Sequence, residues 1–83
     1  FGTVSVYPNP FTDHVVLSFQ DIRSSGATIR IENLLGQLMY SREISRDLFD
    51  HNMRINLSSL SAGMYLISVE TENSRQIRRI VKE

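Results

Sequence analysis

The chain has 83 residues, of which 41% are hydrophobic and 22% charged, a balance that argues against disorder and allows one small domain with a modest core. Nine Lys and Arg cancel nine Asp and Glu, so the domain as a whole lacks the long-range field that draws proteins to nucleic acid or anionic lipid. Cysteine is absent, which removes disulfides, thiolate zinc sites and a nucleophilic thiol, and no apolar run approaches the ~20 residues of a membrane span.

Val4 and Val6 alternate with Thr3 and Ser5 in a short period-two run. Nothing before it has the basic start and apolar stretch of a signal peptide, and a chain that opens directly in a strand pattern reads as a fragment of something longer. Pro8 and Pro10 end the run, because each fixes φ and removes an amide donor. Asn9 between them suits a local side-chain turn, so Tyr7-Pro8-Asn9-Pro10 is a rigid break. Val15, Leu17 and Phe19 then alternate with Val16, Ser18 and Gln20.

After the turn signal Ser24-Ser25-Gly26, Ala27, Ile29 and Ile31 alternate with Thr28, Arg30 and Glu32, the cleanest half-buried strand of the chain. Asn33-Leu34-Leu35-Gly36 is a hairpin loop with Gly36 in the left-handed region, and Leu38, Tyr40, Arg42 and Ile44 return on one face. A polar loop over 46–52 with the apolar pair Leu48-Phe49 leads to Met53, Ile55 and Leu57, alternating with Arg54, Asn56 and Ser58. Leu60 plugs the core from the next corner, Gly63 lets the chain turn that corner without a Cβ clash, and Tyr65, Ile67 and Val69 point inward. Tyr65 adds a hydroxyl that reaches backbone at the rim.

Thr71-Glu72-Asn73-Ser74 is a hairpin turn into the last element. There Ile77, Ile80 and Val81 fit one face of a helix, whereas at period two Ile77 and Val81 share a face with Arg79 between them. The short turn and the β-branched content favour the strand. Seven short strands at close spacing indicate an all-β fold, an immunoglobulin-like antiparallel β-sandwich.

Candidate chemistry is thin. Asp13-His14 and Asp50-His51 have no metal-ligand spacing and read as solvated turns. Asp47 and Asp50 lack the glycine and spacing of a calcium loop. No serine sits in a Gly-x-Ser-x-Gly elbow, no glycine-rich phosphate loop exists, and the sequon Asn56-Leu57-Ser58 falls inside a strand pattern. No catalytic, cofactor-binding or metal residue is therefore expected. The terminus stands out more: Arg75 to Glu83 holds four positive charges and one negative. Arg75, Arg78, Arg79 and Lys82 fit the outward positions of an edge strand that resists aggregation. That is the favoured reading from residue types alone; the second is a docking surface for an acidic or phosphorylated partner.

Four stretches in order resemble the C-terminal sorting domain (type A) of the type IX secretion system of Bacteroidetes. They are Tyr7-Pro8-Asn9-Pro10-Phe11, then Ile29 through Gly36-Gln37, then Leu57-Ser58-Ser59-Leu60-Ser61-Ala62-Gly63-Met64-Tyr65, and finally Arg78-Arg79-Ile80-Val81-Lys82. The resemblance covers essentially the whole chain; Ser61 stands where a proline is common and Asn56 where an aspartate is frequent. It implies that residues 1–83 are a single non-catalytic sorting domain at the end of a larger secreted protein. It further implies transit through the periplasm, recognition by the outer-membrane translocon, and delivery to the cell surface or the medium. Removal by a surface sortase and joining of the cargo to anionic lipopolysaccharide would follow.

On this reading Gly63 and Tyr65 act by shaping the domain, while Arg78, Arg79, Ile80, Val81 and Lys82 form the contact surface. Tyr7, Pro8, Asn9, Pro10 and Gly36 serve the fold. Neither nucleic acid nor membrane insertion is involved, and an exposed terminal strand admits a strand-exchanged homodimer. Two rivals share the architecture. An adhesion or carbohydrate-binding module would need an exposed aromatic platform, and Phe11, Tyr40 and Phe49 do not cluster in sequence. A structural spacer would tolerate sequence after its last strand.

Overall fold

The computed structural model describes residues 2–20, 25–45, 52–72 and 74–83, and these form seven strands and no helix. The strands are β1 (Thr3–Tyr7), β2 (His14–Gln20), β3 (Gly26–Asn33), β4 (Leu38–Ser45), β5 (Met53–Asn56), β6 (Gly63–Glu70) and β7 (Arg75–Lys82). A three-stranded sheet of order β1-β2-β5 faces a four-stranded sheet of order β4-β3-β6-β7, with every strand pair antiparallel. This is the expected immunoglobulin-like sandwich, and the final segment is a strand as its β-branched content indicates.

The alternation explains the core. Val4, Val15, Leu17, Met53 and Ile55 line the inner face of the smaller sheet. Ala27, Ile29, Ile31, Ile44, Tyr65, Ile67, Val69 and Ile80 line the facing one. Phe11 and Leu57 close the ends, and Leu60 packs against the cluster as expected.

Two local features depart from plain alternation. The register shifts between Ile31 and Glu32, so Ile31 pairs with Tyr40 but Glu32 pairs with Leu38. A β-bulge of this kind puts an extra residue into one strand. Leu38, expected on the face of Tyr40 and Ile44, therefore joins Glu32 on the outer face and is exposed. Asn56 lies at the end of β5, where its side-chain oxygen accepts the amide of Ser58 at 2.9 Å.

The β3–β4 turn is organised by Asn33. Its side-chain oxygen accepts the amides of Leu35 (2.9 Å) and Gln37 (3.0 Å), and its carbonyl accepts the amide of Gly36 (3.0 Å). Gly36 has φ of 84°, the left-handed conformation that glycine adopts without steric cost. The expected loop over 46–52 lies, but for Asn52, outside the described residues.

Candidate functional site: the clamped terminal strand

β7 is an edge strand, paired with β6 on one side only. Val81 fixes which backbone groups look outward, since its amide and carbonyl bond to residues other than β6. In an antiparallel ladder that direction alternates, so Arg75, Ile77 and Arg79 also present their backbone groups to the open side. Side chains alternate independently of this. Arg75, Ile77, Arg79 and Val81 share the outer face with Glu70, Ser68, Leu66 and Met64 of β6, whereas Gln76, Arg78, Ile80 and Lys82 take the inward phase.

The N-terminal segment clamps this strand at three points. The Gln76 side-chain amide donates to the carbonyl of Gly2 (2.8 Å) and accepts the amide of Val4 (3.1 Å). The Asn9 amide donates to the carbonyl of Arg79 (2.9 Å) and accepts the amide of Val81 (3.0 Å). Phe11 then pairs with β7 as parallel backbone, donating to Val81 and accepting from Glu83, each at 2.9 Å. A primary amide carries both N–H donors and a carbonyl acceptor, the two kinds of group a peptide unit presents, so Asn9 and Gln76 stand in for missing strand residues. Asn9 thus reaches across the sandwich instead of closing the local turn expected of it. The Tyr7–Pro8 and Asn9–Pro10 peptides flanking it are cis.

Lys82 ties the terminus to the corner between β5 and β6. Its ammonium donates to the carbonyls of Leu57 (2.9 Å), Ser58 (3.0 Å) and Leu60 (2.6 Å), and the residue is only 8% exposed. Three acceptors match the three protons of the group. The same corner is held from β6, where the Tyr65 hydroxyl donates to the carbonyl of Ser61 at 2.6 Å. Gly63 enters β6 with φ of 150°, a conformation closed in practice to residues with a Cβ.

The expected contact surface is accordingly split. Arg78, Arg79 and part of Val81 are accessible, but Ile80 is fully buried and Lys82 nearly so. Both lie on the inward phase of the strand, so in the folded domain they are core and anchor, not surface; the basic strip loses its fourth charge. Sequence reasoning missed Ile77, 47% exposed on the same outer face, and missed Asn9 and Gln76 as clamps. The parity of Ile80 and Lys82 was the available signal for the buried lysine.

The charges left on β7 are unpaired. Arg75 faces Glu70 across the β6–β7 register, yet Arg75, Arg78 and Arg79 make no ion pair within 4 Å among the described residues. Arg78 lies along its own strand, donating to the Ile77 carbonyl and the Gln76 side chain, each at 3.1 Å.

The other candidates recede. Phe11 is 1% exposed and Tyr40 packs against the core, so these two supply no aromatic platform; Phe49 lies outside the described residues, as do Asp47, Asp50 and His51. His14 donates from Nδ1 to Asp13 at 2.7 Å. That bond holds the Asp13 carboxyl below its ordinary value, and the Arg54 guanidinium stands 3.3 Å from the same ring nitrogen. A cation already occupies the approach to this pair.

Comparison with known proteins fits this arrangement. A family model described as the secretion system C-terminal sorting domain matches residues 5–83. The ulvan lyase NLR42 of Nonlabens ulvanivorans is 33% identical over 74 residues, a segment that makes up 89% of this chain and 13% of that protein.

Proposed function

The chain belongs to the C-terminal sorting domains of the type IX secretion system, and on that premise we propose that it is the address of a larger protein whose cargo precedes Phe1. As a sorting tail it is not itself catalytic, and it directs export to the cell surface or the extracellular space. In the proposed sequence the cargo crosses the periplasm with this domain attached. The domain engages the outer-membrane translocon, a surface sortase then cuts at its N-terminal edge, and the cargo is joined to anionic lipopolysaccharide.

The observation that carries the recognition part is the state of β7. It is an edge strand fastened by the N-terminal segment, with Arg75, Ile77 and Arg79 on its outer face, exposed Arg78 on the other, and no ion pair to any of these arginines among the described residues. Arg78, Arg79 and Val81 are assigned to contact, with Arg75 and Ile77 beside them. Gly63, Tyr65, Ile80 and Lys82 present that surface by fixing the corner and the strand. Rigid presentation matters because a preordered surface loses less entropy on binding.

The test joins residues 1–83 to a fluorescent reporter with a periplasmic signal peptide in a type IX-competent bacterium. Surface delivery is expected with the system intact and not without it, and deletion of 78–83 is expected to leave the reporter in the periplasm. Normal delivery of the deletion variant would remove the terminus from recognition.

A further inference from the structure

The outer edge of β7 is divided into two stretches of different character. From Arg79 to Glu83 it is occupied, because the Asn9 amide and the Phe11 backbone satisfy the Arg79 carbonyl, both groups of Val81 and the Glu83 amide. From Arg75 to the amide of Arg79 no backbone is hydrogen-bonded to the strand's own backbone on this side, β1 being tied there only through the Gln76 side chain, and among the described residues the outward amides of Arg75, Ile77 and Arg79 have no acceptor. The Ile77 carbonyl is covered only by the solvent-exposed side chain of Arg78 at 3.1 Å. This open stretch spans about 17 Å at ~3.4 Å per residue, the length of an ordinary strand.

Its side chains specify what can lie there. Arg75, Arg78 and Arg79 are exposed and unpaired, and exposed Ile77 sits among them. A strand added to an edge places its side chains beside those of the edge strand, where opposite charges attract and like charges repel. A second copy of β7 would set arginines against arginines. An extended segment whose outer face carries an apolar residue flanked by Asp or Glu would instead meet the Arg75 and Arg79 guanidinium groups and the Ile77 side chain there, and a further carboxylate on its other face would meet Arg78.

We propose that residues Arg75 to Arg79 form a strand-addition site for an extended acidic segment of the secretion machinery, with Asn9 and Phe11 as the stop that sets its register. The site rests on the sorting function above and supplies its mode of recognition. Backbone hydrogen bonds give the affinity, and the arginines select an acidic partner. The clamp confines the added strand to the open stretch and keeps the remainder of the edge from indiscriminate pairing.

The discriminating variant is Ile77→Pro. The Ile77 amide points away from β6, so proline there removes a donor needed by an incoming strand and spares the β6–β7 ladder. Ile77→Thr keeps the donor and is the control. Both are tested in the reporter fusion, with melting temperatures measured on the isolated 83-residue chain. Delivery is expected to fall at least about tenfold for Ile77→Pro and clearly less for Ile77→Thr, which loses the apolar contact but keeps the backbone donor. The double reversal Arg75→Glu/Arg79→Glu, which leaves the backbone intact should the proline variant fail to fold, is expected to lose delivery where Arg30→Glu on the same sheet does not.

Parental delivery by a folded Ile77→Pro variant overturns strand addition. If deletion of 78–83 still blocks export in that experiment, the sorting role of the terminus stands without it. Loss of delivery in the charge reversal, with a folded Ile77→Pro delivered normally, would mean that the arginines meet an anionic surface side-on, which also overturns it. Normal delivery of both the charge reversal and the deletion would refute the strand site and the recognition role of the terminus together.

Discussion

Replacing Lys82 by Met separates the charge of this residue from its bulk. Methionine keeps most of the aliphatic stem and its packing but withdraws the donor from three carbonyls at 2.9, 3.0 and 2.6 Å. Bonds from a charged donor contribute about 1.5–3 kcal/mol each, which would sum to about 4.5–9 kcal/mol for the three. Two effects reduce it. The variant no longer bears the desolvation of an ammonium taken out of water. The carbonyls also have alternatives: Leu57 retains the Leu60 amide at 3.1 Å, and Ser58 and Leu60 border solvent and can take water. The net loss is therefore about 2–3 kcal/mol.

That is a large share of the roughly 4–12 kcal/mol stability of a domain this size, and corresponds to a fall of about 10–20 °C in melting temperature. Urea unfolding followed by circular dichroism reads it directly, with the slope of the transition unchanged. Lys82→Arg tests geometry against charge. A planar guanidinium cannot aim three protons at acceptors converging on one point, so arginine should recover less than half of the loss. A Lys82→Met variant within about 0.5 kcal/mol of the parent would refute the anchoring role, and full recovery by arginine would reduce it to generic charge.

Asn9→Ala removes both bonds of the central clamp and is expected to cost about 1–3 kcal/mol; hydrogen exchange should show the Val81 amide losing protection while Ile29 and Ile67 keep theirs. Tyr65→Phe deletes the bond to Ser61 and should cost about 0.5–1.5 kcal/mol in urea unfolding, less than Lys82→Met because one neutral bond is lost in place of three from a charged donor. Gly63→Ala forces a Cβ into positive φ at a cost of about 1–3 kcal/mol, even though nothing within 4 Å would obstruct the added atom; an unchanged melting temperature would show that the corner relaxes. Asp13 has its carboxyl depressed by His14. Its contribution is thus present above the unfolded-state value and lost as pH falls through the lower folded-state one. Comparison of Asp13→Asn with the parent should show a small difference at neutral pH that vanishes in strong acid.

Period-two patterns made the strands legible, because a half-buried sheet leaves no other place for its apolar residues. Ile29-Arg30-Ile31 and Tyr65-Leu66-Ile67 could be assigned on that ground alone. The bulge at Glu32 was not legible: nothing in Leu38-Met39-Tyr40 marks the slipped residue, and the reversal of Leu38 followed from it. The site was half legible. Arg78 and Arg79 are exposed, as their charge suggests, and charge is local information. Lys82 was misplaced because charge suggests solvent, whereas its partners are carbonyls 22 to 25 residues earlier in the chain. Asn9 was placed in a turn because a neighbouring backbone group is the usual partner of a short amide, and its true partners lie 70 and 72 residues away.

These long-range bonds explain why motifs that are weak singly belong together. The Pro-Asn-Pro segment, the Leu57–Tyr65 corner and the basic terminus are separated in sequence by tens of residues. In space all three meet on β7: Asn9 and Phe11 hold its edge, the corner accepts its lysine, and Ile80 fills the core between them. A receptor that reads this strand reads a conformation assembled from both ends of the chain. An unfolded or truncated tail would carry the same arginines without the fixed register that separates the open stretch from the clamped one. If recognition falls on β7 as proposed, the signal is a property of the folded domain, and the buried lysine contributes to it without being touched.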